Sequence, residues 1–256
     1  MAFVTAKPTF STSLPQSGKN LLMAMTDGTI WQDTTLQYYL GDDTALSIDT
    51  DFASNFYAYF SNSPDANYYF TALTDRAFAA ISAAITLDFS RTTNLAEADQ
   101  VLVSVDQSSN IEGFSTFAGV IGHDGQAGEY WSFTTLNSNV AQMRATPETG
   151  GGEYANWTIL HEIGHSLGLF HPFEYPASQY IANMDNERYT VMSYTGAASP
   201  YGYGHAVTMM ALDIAALQAL YGEEDNAGGN STYMLMNAQG GSLDLTGNKI
   251  AIGRAY

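Results

Sequence analysis

An eleven-residue run, His161-Glu162-Ile163-Gly164-His165-Ser166-Leu167-Gly168-Leu169-Phe170-His171, constrains this chain more than any other feature. On a helix, positions four apart differ by only about 40° in azimuth, so His161 and His165 project from one face, one turn apart. Glu162 sits beside them. Trp157, Leu160, Gly164 and Leu167 form one apolar stripe and Ile159 with Ile163 a second, so the helix is apolar on most sides and predicted to be buried. Gly168 can adopt a left-handed conformation and end the helix. The chain can then swing back to bring His171 towards the first two imidazoles, and Pro172 prevents the helix from continuing.

Three imidazoles and a carboxylate buried together need partners, and a metal ion supplies them. Zinc takes nitrogen ligands in tetrahedral array, and catalytic sites keep one position open. His161, His165 and His171 as ligands leave that position to water, whose pKa bound zinc lowers from about 15.7 to near 7. Glu162, free of the metal, can take the water's proton and later pass it to a leaving amine. The reaction class that fits is peptide-bond hydrolysis without a covalent acyl-enzyme. Incidental histidines on a buried helix are the competing explanation, but they do not require Glu162, Gly168 and His171 to coincide. A zinc-stabilised binding or adhesive module without activity is the rival from another class. Retention of Glu162 weighs against it, since a structural site needs no base. A narrow-specificity processing peptidase is the rival within the class.

Residues 190–195 read Thr-Val-Met-Ser-Tyr-Thr. With the extended histidine motif, they make the chain resemble the metzincin zinc metallopeptidases, which carry a tight turn with a methionine beneath the metal. Pro172 after the third histidine and Tyr194 two residues after Met192 are similar to the serralysin type of peptidase family M10. Matrixins resemble the chain less, usually having Ser after the third histidine. Residues 211–222 resemble the last helix of the serralysin catalytic domain. The resemblance implies an α/β metzincin-like protease fold. Its twisted, mostly parallel sheet carries two long helices, and a cleft separates it from a smaller C-terminal subdomain with a third helix. It also implies that Met192 packs under the site and that Tyr194 is a fifth ligand or stabilises the oxyanion. Substrate would add antiparallel to an edge strand within 113–133, and Gly196–Tyr203 would wall the pocket for the residue after the scissile bond.

Composition narrows the partners. The 256 residues carry 26 acidic and 8 basic side chains, a formal net charge of −18. This argues against nucleic acid and anionic membranes and reads first as a well-solvated acidic surface, with Ca2+ as a second candidate ion beside Zn2+. The expected partner, a protein or peptide substrate, follows from the hydrolytic motif instead. With no cysteine, the chain has neither disulfides nor a thiol latency switch. No apolar run reaches the ~20 residues that span a bilayer, and no basic cluster followed by a long apolar region marks a signal peptide. The resemblance implies a secreted, extracellular bacterial protein, expected as a monomer. Its export would use a C-terminal signal beyond a calcium-binding repeat array that this sequence does not contain.

Along the chain, residues 1–30 read as an irregular, propeptide-like leader. Residues 31–222 read as the catalytic domain, and 223–256 as a short β-rich tail similar to the lead-in of a calcium-binding β-roll. Thr35–Leu40 is the expected first strand, and Gln100–Val105 a buried one. Thr74-Asp75 is the expected cap of a helix running to about Ile85. Helices are expected over 154–167 and 205–221, with Gly222 as the stop of the second. His123 and His205 read as a loop residue and a helix-opening residue, and Asp213 as a group that pairs inside the domain.

Overall fold

The computed structural model of the chain describes residues 3–5, 22, 25–26, 29–41, 70–106, 113–118, 131–140, 143, 152–174, 183–196, 204–224, 235–236 and 242–243. Its centre is a five-stranded sheet. The strands are β3 (Thr35–Gly41), β4 (Asp88–Thr92), β5 (Gln100–Val105), β6 (Gly113–Ala118) and β7 (Trp131–Asn137), in spatial order β4-β3-β5-β7-β6. The β3–β4, β3–β5 and β5–β7 pairs are parallel. Only β6 runs antiparallel, pairing with β7 from Gly113↔Leu136 to Ala118↔Trp131, and it forms an edge. Short strands β1 (Phe3–Thr5) and β2 (Thr29–Trp31) pair antiparallel, as do β8 (Leu235–Met236) and β9 (Ser242–Leu243).

Every residue of β5 is buried, as expected for a parallel strand covered on both faces. Side chains alternate across a strand, so Val101, Val103 and Val105 join Phe133 and Leu95 on one face. Leu102 points to the other, where it joins Leu36, Leu136 and the helices. Those helices are α1 (Thr71–Ser82) and α2 (Gly152–Ser166). Phe78 of α1 is 1% exposed and stacks on Tyr38 of β3 with centroids 4.3 Å apart.

Helix α1 begins before Thr74-Asp75, with Phe70 at its N-cap and no side-chain cap. The reason is tertiary. Thr74 is fully buried inside the helix, and Asp75 accepts from Tyr38 Oη at 2.8 Å and pairs with Arg91. Helix α3 (Ala211–Tyr221) likewise starts later than residue 205, because Asp213 Oδ2 accepts the Met210 N–H at 2.9 Å and caps the helix there. It stops at Gly222, φ 91°, whose N–H returns to Gln218 O. Its end is tied to α2 by Tyr221 Oη donating to Leu167 O at 2.9 Å, and to the end of α1 by Gln218 donating to Ala84 O at 2.9 Å. No helix among the described residues is long and apolar enough to cross a membrane. His123 and residues 197–203 lie outside the described residues.

Candidate metal centre and catalytic cleft

The geometry of α2 and its exit sets the site. Gly168 has φ 89°. Its N–H donates to His165 O and the Leu169 N–H to Gly164 O, both at 2.9 Å. This pair of bonds is a Schellman termination. It leaves the Leu169 carbonyl facing His165, whose Nδ1 donates to it at 2.9 Å. Phe170 N–H then donates to Met25 O at 2.8 Å, tying the returning chain to the segment before β2. His171 follows and meets the two helical imidazoles.

Each ring is held by its outer nitrogen. His161 Nδ1 donates to Val191 O at 2.8 Å, and His171 Nδ1 to Glu174 Oε1 at 3.1 Å. Carbonyl and carboxylate oxygens accept, so each Nδ1 is the donor, and a ring protonated there alone carries its lone pair on Nε2. The three Nε2 atoms lie 3.0, 3.1 and 3.2 Å apart. Three converging lone pairs repel one another unless a cation sits between them. Zn–N bonds of about 2.0–2.1 Å in a tetrahedron put ligand nitrogens only slightly further apart, roughly 3.3 Å, so the cluster fits zinc. Burial, reinforced by the neighbouring imidazoles, lowers His161 to a pKa of about 3 and His165 to about 4. Both rings therefore stay neutral, the form that ligates metal.

Glu162 is placed differently. It is 6% exposed, and burial alone pushes its carboxyl up to about 8. Its Oε2 has no hydrogen-bond partner among the described residues. Gly113, the first residue of β6, packs directly on it. A Cβ there would come within 2.7 Å of Glu162 Cγ and Oε1. A second close approach lies beneath the three imidazoles, where a Cβ on Gly164 would stand 2.6 Å from Met192 Sδ. Met192 is fully buried. Tyr194 is 63% exposed and stands over the cluster, its ring 5.3 Å from that of His161 and 4.8 Å from that of His171.

The methionine turn is anchored from α3. Asp213 is fully buried and accepts from Thr190 Oγ1 at 2.5 Å and from the Val191 N–H at 2.8 Å. Burial raises its pKa to about 6, against the pull of its hydrogen bonds. A relay thus runs from Asp213 through the Val191 peptide to His161 Nδ1. Sequence reasoning placed Asp213 inside the domain without connecting it to the histidine cluster. The available signal was a carboxylate in an otherwise apolar helix. Glu174, Gly113 and Gly164 were also missed as supports. His205 does not open α3. It lies in the turn before it and pairs with Glu187, 18 residues away, at 3.0 Å.

Gly168→Ala is expected to cost about 1–2 kcal/mol, because an L side chain is strained at that φ. Urea unfolding of the metal-free chain measures the loss, and a parallel zinc titration should show weaker binding as His171 shifts.

Comparison with known proteins agrees with this geometry. The Peptidase_M10 family, described as matrixin, matches residues 53–193, just over half of the chain. Serralysin of Proteus mirabilis is 44% identical over 89 residues, covering 30% of this chain and 17% of that protein. Serralysin C of Dickeya chrysanthemi is 36% identical over 106 residues, covering 38% and 21%. Metalloprotease AprA of Pseudomonas entomophila is 37% identical over 109 residues, covering 37% and 21%. The matched stretch thus spans about a fifth of these relatives' length. The family match over more than half of the chain and these serralysin relatives show that the chain belongs to the Peptidase_M10 family as a serralysin-type metzincin catalytic domain.

Proposed function

We propose that the chain is a secreted zinc endopeptidase, with residues 31–222 as its catalytic unit. The observation that carries this reading is the convergence of three Nε2 lone pairs beside a buried carboxylate that none of them engages. A zinc ion held by His161, His165 and His171 would polarise the substrate carbonyl and acidify the attacking water. Glu162 accepts that water's proton and delivers it to the departing amine. Tyr194, at the mouth of the cleft, donates its phenol to the oxygen on which charge develops. Met192 and Asp213 hold the turn from beneath. The substrate lies antiparallel along β6, whose outer side has no strand partner among the described residues.

The test is a metal assay combined with a peptide-library digest of the zinc-loaded chain, with and without a chelator. About one zinc per chain and chelator-sensitive cleavage within peptides are expected. Bound zinc without cleavage of any peptide would make the chain a zinc-held binding module instead. Absence of bound zinc would end the reading altogether.

A further inference from the structure

Two cavities flank Glu162. One, of about 310 Å³, is lined by Gly113, Phe114, Ser115 and His171, among others. The second, of about 570 Å³, reaches past His161 to Trp157, Tyr154, Glu187 and His205. Gly113, Glu162 and Tyr194 border both. Strand β6 enters the first cavity with residues 113–115 and touches the second only with Gly113. A peptide antiparallel to β6 therefore runs from the first cavity to the second, and the second receives the side chain that follows the scissile bond.

The chemistry of that second cavity is unusual. Glu187 is 4% exposed, and the nearest atom to a Cβ built on Gly196 is its Oε1, at 4.0 Å. No side chain from Gly196 covers the carboxylate. Its one side-chain partner among the described residues is His205 Nδ1, at 3.0 and 3.2 Å from the two oxygens. Two carboxylate oxygens offer about four acceptor sites, so one N–H leaves most of that capacity unused. Neither lysine nor arginine is among the described lining residues, and the carboxylate of Glu153 lies against Gly204, beside His205. Tyr154 and Trp157 supply flat apolar walls, with Trp157 5.5 Å from the His205 ring. A long side chain with an apolar stem and a cationic tip matches these walls and that acceptor.

We propose that this cavity selects a basic residue immediately after the scissile bond, with Glu187 as the counter-charge and His205 as the partner it displaces. The proposal rests on the peptidase reading for its bond-cleaving half only. A pair of peptides that differ by lysine or norleucine at that position isolates the charge, since norleucine keeps the stem. For the zinc-loaded chain, kcat/KM should favour lysine by about tenfold or more, the ratio a charge-assisted hydrogen bond supplies. Glu187→Gln should bring the ratio close to one. His205→Ala, which frees Glu187, should raise it. Equal rates in the parent, or a lysine preference that survives Glu187→Gln, would overturn the proposal. If neither peptide is cleaved, the peptidase reading fails but the cavity is still tested. The Kd ratio of the same two peptides on the zinc-loaded Glu162→Gln chain should show the same preference, and equal Kd values would sink it.

Discussion

Glu162→Gln is expected to lower kcat/KM by roughly 10²- to 10⁴-fold, the range that general acid–base catalysis contributes, while zinc stays bound at the parent stoichiometry. The two halves have different causes. Glu162 sits beside the imidazole cluster, but the converging nitrogens are those of His161, His165 and His171. An amide in its place keeps the shape that Gly113 packs against and removes the proton acceptor. Because burial works against the charged form of Glu162, the thermal midpoint of the variant should be no lower than that of the parent. Loss of activity with zinc and fold retained would identify the residue as the base. Parent-level hydrolysis would remove it from the mechanism, and loss of zinc would make it part of the metal's support.

Asp213→Ala is expected to be the most destabilising single change in the region, at about 3–5 kcal/mol. It strands the buried Val191 N–H and Thr190 hydroxyl together with the part-buried Met210 N–H, and each unsatisfied buried donor costs about 1–3 kcal/mol. The loss has a second expression. With the Val191 peptide released, its carbonyl no longer orients His161, and zinc affinity should fall by about 10- to 100-fold, as for other partners of metal-bound histidines. Urea unfolding without metal reads the first effect, and zinc titration under folding conditions reads the second. A variant within about 1 kcal/mol of the parent would mean that water replaces the carboxylate. Unaltered zinc affinity would mean that His161 is oriented by packing alone.

The parts of the site legible in the sequence are those whose geometry is local. His161, His165, Gly168 and His171 lie within eleven residues, and helical periodicity with one left-handed glycine is enough to bring them together. The buried strand over 100–105 was equally legible, because a strand covered on both faces has an unbroken apolar pattern apart from Gln100 and Ser104. Supports drawn from distant segments were not. Gly113 is informative only once β6 is known to cross Glu162, and Glu187 acquires meaning only opposite His205. The two displaced helix starts have the same origin. Thr74 and Asp75 look like a cap but serve the core and Tyr38. His205 looks like a helix opening but faces Glu187, and Asp213 caps the helix six residues after the expected start.

The overlap that any Cβ at position 113 would make with Glu162 has a mechanical corollary. The rail along which a peptide would be laid and the group meant to receive its proton are in van der Waals contact through bare backbone. Their separation is set by main chain rather than by the rotamer of an intervening side chain. Even one added methyl group at 113 would have to push the carboxylate or the rail aside, so the spacing between docked amide and proton acceptor has almost no latitude to drift.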